Sequence, residues 1–110
     1  MMKLYLKPNC TTCRRAKSFL REAGAEFDEI DLNRGLTPAE LNALMGDRDY
    51  KLFLNTRNEL YRERKMKQTP PSREEAIALM AKHPNLIKRP ILVKGRKMLL
   101  GFDSDEWSGF

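Results

Sequence analysis

Pro8-Asn9-Cys10-Thr11-Thr12-Cys13 holds both cysteines of this 110-residue chain, and its reading decides the fold. Before it, Met2-Lys3-Leu4-Tyr5-Leu6-Lys7 alternates apolar and polar residues as a half-buried strand does. After it, Cys13, Ala16, Phe19, Leu20 and Ala23 recur at helical spacing. The C-x-x-C therefore lies where a strand ends and a helix begins. The first turn of a helix offers unpaired N–H groups and the positive end of the peptide dipole, and both favour a thiolate. Arg14 and Arg15 add positive charge directly after the motif. In such settings a thiol falls from about 8.5 to roughly 3.5–7.5. Cys10, nearest the helix start, is the expected nucleophile. Cys13, one turn further, is expected to be more buried and to resolve a mixed disulfide.

Other roles for two cysteines are a structural disulfide, part of a zinc site, or plain core residues. A bridge spanning two residues closes a tiny loop and stabilises little. Zinc usually takes four ligands, and the one histidine, His83, is far away in sequence. A redox or nucleophilic pair is the expectation, with an inert core role second and no metal.

A chain of this length carries one domain with a modest core. Its 41% hydrophobic and 33% charged residues suit a globular protein rather than a disordered one. No apolar run is long enough to span a bilayer, and the first residues do not form a signal peptide. The cytoplasm follows as the expected compartment, where a C-x-x-C is more often catalytic than structural. The net charge of +6 favours an acidic partner without identifying one. Direct nucleic-acid binding and membrane binding are not expected, and a monomer is.

Working outward, Gly24 stops the first helix. Residues 25–32 read as a second strand, with Phe27, Ile30 and Leu32 as its apolar positions and a bend near Glu29. Thr37-Pro38-Ala39-Glu40 is a capping box with proline at the first helical position, flanked by the staple pair Leu36 and Leu41. Leu41, Leu44 and Met45 face the core, and Gly46 ends that helix. Residues 50–54 predict one or two helical turns. Thr56-Arg57-Asn58-Glu59 reads as a second capping box, and Ser72 with Glu75 as a third. The charged run 62–67 is a solvated connector or a contact for an acidic partner. Ile77, Met80 and Ala81 mark a helix that stops before Pro84. Residues 90–94 and 97–100 form a hairpin about Gly95-Arg96, and Asp103 caps a last helix. The order is β-α-β, several helices, then β-β-α. That predicts an α/β, thioredoxin-like fold over residues 1–110, a small mixed sheet with a helical insertion at about 37–82.

The run Asn9-Cys10-Thr11-Thr12-Cys13-Arg14-Arg15-Ala16, together with Asn55-Thr56-Arg57, His83-Pro84-Asn85-Leu86-Ile87-Lys88-Arg89-Pro90-Ile91 and Gly101-Phe102, resembles the ArsC-like thioredoxin-fold family. That family includes arsenate reductases, Spx-type transcription regulators and small YffB-type thiol reductases. The resemblance implies that Cys10 is the nucleophile and that Arg57 and Arg89 bind an anionic substrate. It also implies that Pro90 is cis and opposite the cysteine. Two planar guanidinium forks suit a bidentate oxyanion and would lower a neighbouring thiol.

Two departures separate the chain from the arsenate reductases. Cys13 stands where many of them have serine, and Gly101-Phe102 stands where they have a third arginine. The resemblance therefore implies a thiol–disulfide reductase with no bound cofactor, and with glutathione as a candidate co-substrate or another disulfide as substrate. The alternative from a different class is an Spx-type regulator that binds RNA polymerase and uses Cys10 and Cys13 as a redox switch. Arsenate reduction ranks third.

Overall fold

A computed structural model describes residues 2–110. Their chain divides into two compact units, one made of the residues up to Leu32 and from Arg89 to Phe110, the other of Asn33–Lys88.

The first unit is built on a four-stranded sheet ordered β2-β1-β3-β4. Strand β1 is Met2–Leu6, β2 is Phe27–Asp31, β3 is Ile91–Lys94 and β4 is Lys97–Leu100. The pairing of β1 with β2 is parallel, and the other two are antiparallel. Parallel neighbours need a crossover, and helix α1, Thr11–Glu22, supplies it. Leu4 and Leu6 point to one face of β1 and pack with Cys13, Ala16 and Leu20 from α1. Helical positions i, i+3 and i+7 lie on one face, so the motif's second cysteine is a core residue by its spacing. Leu92 of β3 and Trp107 of α5, Ser104–Ser108, complete this core.

Strand β2 ends at Asp31, and Leu32 turns into a short 3-10 helix where it is fully buried. The expected bend at Glu29 is absent: its register with Leu4 is regular. Glu29 instead holds Lys17 at 2.8 Å and Arg21 at 3.7 Å across the β2–α1 face. At the hairpin Gly95 adopts φ +61°, the left-handed conformation that favours glycine. Asp103 caps α5 through its carboxylate, which accepts from the N–H groups of Asp105 and Glu106.

The second unit carries α2, Pro38–Met45, α3, Glu59–Glu63, and α4, Arg73–Lys82, with short 3-10 turns at Tyr50–Phe53 and Pro84–Leu86. The box at α2 is complete: Thr37 Oγ1 accepts from Glu40 N–H at 3.1 Å, and Glu40 Oε1 accepts from Thr37 N–H at 3.0 Å. Arg73 closes the other end of α2, donating to Asn42 Oδ1 and to the Gly46 carbonyl. Ser72 caps α4 by accepting from Glu75 N–H.

The capping reading of Thr56 is corrected. The N-cap of α3 is Asn58, whose side chain accepts from Leu60 N–H, because Asn55 Oδ1 has already turned the backbone at Arg57. The face of α4 is also shifted, with Ala76, Ile77 and Met80 buried and Ala81 half-buried. In the charged run every charged side chain is exposed, as in a solvated connector, and Met66 alone is buried.

Candidate functional site

Lys7 closes β1 and Pro8-Asn9 turns the chain into α1. The Cys10 N–H donates to the Lys7 carbonyl at 3.0 Å, which fixes this tight turn. Cys10 is the N-cap of α1 with extended backbone, φ −93° and ψ 125°. The N-cap residue has its side chain at the mouth of the first helical turn, where N–H groups lack intrahelical partners. Cys10 is half-buried, whereas Cys13 is fully buried, and both are free thiols.

Burial pushes the Cys10 thiol up, but three groups outweigh it. The Cys13 N–H and the Cys13 thiol both donate to the Cys10 sulfur, and so does the Arg89 guanidinium, which adds its charge. The net result is a thiol below its ordinary range. Cys13 goes the other way. Burial, and then the neighbouring Cys10, push it up to about 11, against a lowering contact from the Lys7 N–H and the charge of Arg89. A donor and an acceptor are thereby distinguished: Cys13 keeps its proton and shares it with the sulfur of Cys10.

Arg89 reaches this turn from the start of β3. The Arg89–Pro90 peptide is cis, and Pro90 is buried. The Pro90 carbonyl accepts from Gly101 N–H at 2.8 Å, which joins β3 to the end of β4. Arg14 and Arg15, the cations adjacent in sequence, are exposed on α1, and Arg15 lies over the Phe102 ring at 6.0 Å. With Thr11, Ser18, Phe19 and Phe102 they line an open groove along α1. The cation that donates to the Cys10 sulfur is thus Arg89 rather than its sequence neighbours.

Arg57 belongs to the second unit, exposed in the turn before α3. Its N–H donates to Asn55 Oδ1 at 3.1 Å. Asn55 in turn is held by the segment ahead of Arg89: its N–H donates to the Leu86 carbonyl and its amide nitrogen to the Asn85 carbonyl. Among the described residues no three His, Cys, Asp or Glu side chains gather as a metal site. Among the described residues no helix is long and apolar enough to cross a membrane.

Lys7 was missed. It is a charged residue at a strand end, and a periodic pattern reads it as solvent-facing. In the structure it is only 8% exposed, among Arg89, Asp31, Cys10 and Cys13. Its position directly after the buried Leu4–Leu6 face gave no signal. What could have found it is the proximity of a lysine to Cys10 at a tight turn.

Gly101 and Phe102 take the place where the resemblance expects an arginine in arsenate reductases. Gly101, at φ +80°, accepts from the Trp107 indole N–H at 3.1 Å. Phe102 stands edge-on to Trp107, with ring centres 5.0 Å apart, and to Phe19 at 5.7 Å. This corner is aromatic, and Gly101 and Phe102 themselves supply no cation.

The family model described as the ArsC family matches residues 5–110. The chain is 37% identical over 111 residues to the uncharacterized protein YusI of Bacillus subtilis, covering 96% of this chain and 94% of that one. It is 29% identical over 113 residues to the global transcriptional regulator Spx of Streptococcus pneumoniae, covering all of this chain and 85% of the regulator. Among solved structures, an ArsC family related protein from Bacteroides fragilis superposes with a TM-score of 0.82 at 34% identity, covering 98% of this chain and 95% of that one. An arsenate reductase from Vibrio cholerae gives a TM-score of 0.82 at 27% identity, over 96% and 92% of the two chains.

Proposed function

The chain belongs to the ArsC family and has its thioredoxin-like fold, and on that premise we propose that it is a thiol–disulfide oxidoreductase working through Cys10 and Cys13. The observation that carries this reading is the asymmetry of the two thiols. The half-buried Cys10 is held below the usual thiol range by Cys13 and Arg89, while the buried Cys13 is held at about 11. A nucleophile must be ionised and reachable, and a resolver must stay protonated until the mixed disulfide exists.

In the proposed cycle the Cys10 thiolate attacks one sulfur of a disulfide, R–S–S–R′. A Cys10–S–S–R bond forms, R′S⁻ leaves and takes up a proton. Cys13 then attacks Cys10, the bond to R breaks, and RS⁻ leaves as a thiol. Cys10 and Cys13 end oxidised as a disulfide while R–S–S–R′ becomes two thiols. Two further thiols, such as two glutathione molecules, would return the pair to its reduced state. Arg89, and Arg57 by family resemblance, are proposed to hold a carboxylate of a charged substrate. The test is mixed-disulfide capture. A Cys13→Ser variant should retain a glutathione or protein disulfide on Cys10, and a Cys10→Ser variant should retain none. Equal capture by both variants would remove the assignment.

The whole-length match to a global transcriptional regulator supports a second reading. In it the same pair is a redox switch on a protein that binds RNA polymerase. Recovery of polymerase from lysate by the reduced or oxidised protein, with no turnover of glutathione disulfide, would put this reading first. Arsenate is disfavoured because Gly101-Phe102 stand where the resemblance expects an arginine and offer no guanidinium fork of their own.

A further inference from the structure

The cycle above names a cation for the attacking sulfur and none for the resolving one. That second step has its own electrostatic demand. Once Cys10 is in a mixed disulfide, its sulfur is neutral and the Arg89 hydrogen bond no longer meets a thiolate. Negative charge must then form on Cys13, inside a core of Leu4, Leu6, Ala16 and Leu20. Burying a charge without a partner is costly.

Lys7 is placed where that charge would form. It is the one buried charged side chain found among the described residues, at 8% exposed. Its backbone touches both cysteines: the carbonyl accepts from the Cys10 backbone N–H at 3.0 Å, and the N–H donates to the Cys13 sulfur. The groups that face its ammonium are Asp31 at the end of β2, Arg89 just ahead of β3, Cys10 at the N-cap of α1 and Cys13 within it. Asp31 and the two sulfurs, when ionised, attract it, and Arg89 repels it. A chain that only needed to fill this space would use an apolar residue, since a buried ammonium carries a desolvation cost.

We propose that Lys7 is a positioning residue for the resolving step: its ammonium stabilises the thiolate that forms on Cys13 Sγ while Cys10 is held in a mixed disulfide. In that step Cys13 gives up its thiol proton and its sulfur bonds to Cys10. The bond from Cys10 to the substrate sulfur breaks, and the departing thiolate takes up one proton. Arg89 also favours charge on Cys13, so loss of Lys7 slows the step without abolishing it. Burial and then Arg89 lower the lysine from its ordinary range, while Asp31, Cys10 and Cys13 hold it up. The proposal rests on the thiol–disulfide reading.

The test uses dithiobis(nitrobenzoate) with the full-length protein in excess, followed by stopped-flow absorbance. Attack by Cys10 releases the first coloured thiolate, and attack by Cys13 releases the second. Lys7→Gln is expected to slow the second release about tenfold at neutral pH, the effect of losing one nearby opposite charge. It should also move the pH midpoint of that phase upward, with a much smaller effect on the first release. Lys7→Arg, which keeps the charge, is expected to restore most of the second rate. Lys7→Met, apolar and of similar length, serves should the glutamine variant not fold, and the same pH profile decides. Equal slowing of both phases, or an unchanged pH profile of the second phase, overturns the proposal. Release of a single equivalent by the wild-type protein would overturn the two-thiol reading itself, and it would be seen before any variant is made.

Discussion

The guanidinium of Arg89 donates to the sulfur of Cys10, although the whole of the 33–88 segment separates them in the chain. One residue precedes β3 and the other precedes α1. Antiparallel pairing of β1 with β3, Tyr5 opposite Ile91, brings those two ends to the same end of the sheet. The cation that tunes the thiol is thus delivered by strand register.

Removing that cation should weaken the thiolate. Arg89→Ala is expected to raise the Cys10 thiol and to lower its attack rate near neutral pH by roughly tenfold, the size of one lost charge-assisted bond. Arg89→Lys should recover part of it. Rates of iodoacetamide alkylation across pH measure both. Arg57→Ala, by the family resemblance, should slow attack on an anionic disulfide more than on a neutral one. Identical slowing of both substrates would take Arg57 out of the site.

The two thiols should titrate far apart. In Cys13→Ser, the remaining Cys10 should alkylate with a midpoint below the free-thiol value of about 8.5. In Cys10→Ser, the remaining Cys13 should stay unreactive until well above it, because burial is the largest cause of its upward shift. Faster alkylation of Cys13 near neutral pH would reverse nucleophile and resolver.

Stability should carry the same signature. An unfolded cysteine ionises near 8.5, at about the free-thiol value. The folded Cys13 ionises at about 11. Between those values the folded chain holds a proton that the unfolded chain has lost, so stability falls as pH rises through that window. Lys7, lowered in the folded state, acts in the opposite sense below the ordinary lysine value. The difference between wild type and Cys13→Ala isolates the cysteine. Urea unfolding midpoints should converge as pH rises towards 11, and a constant difference would contradict the buried-thiol account.

The capping box at α2 offers a test confined to the second unit. Thr37→Ala removes the acceptor for Glu40 N–H and should cost about 1 kcal/mol. Thr37→Ser should cost much less. Chemical denaturation measures this, and the first-release rate with a small disulfide should not change.

Trp107 should be the costliest aromatic to truncate. It is buried, stands edge-on to Phe102 and Phe19, and donates to the Gly101 carbonyl. Trp107→Ala is expected to destabilise by about 3–5 kcal/mol. Trp107→Phe should cost less, since it keeps most of the ring and loses the hydrogen bond. Thermal unfolding distinguishes the two.

Much of this was legible in the chain itself, because the signals are local. Capping at Thr37 and Ser72 depends on side chains three residues apart, the hairpin on a glycine between two strand runs, and the burial of Cys13 on its helical phase with Ala16 and Leu20. The strand-to-helix position of Cys10 is local as well. Errors fell where two local signals competed. Thr56 was read as the cap from its three-residue spacing to Glu59, and the Asn55 turn moved the helix start to Asn58. Leu32 continued an apolar run, yet it belongs to the turn after β2.

What the sequence alone determined is therefore the order of elements and the place of the cysteine pair at the strand-to-helix turn, since strand alternation, helix phase and caps act over a few residues. Only the tertiary structure decided which charges act on that pair. Arg14 and Arg15 are next to the cysteines in sequence, but they line an exposed groove, whereas Arg89 and Lys7 come to the sulfurs through the strand ends. Electrostatic influence follows distance and burial in space, and both are set by the pairing of β1 with β3, which no short stretch of the chain encodes.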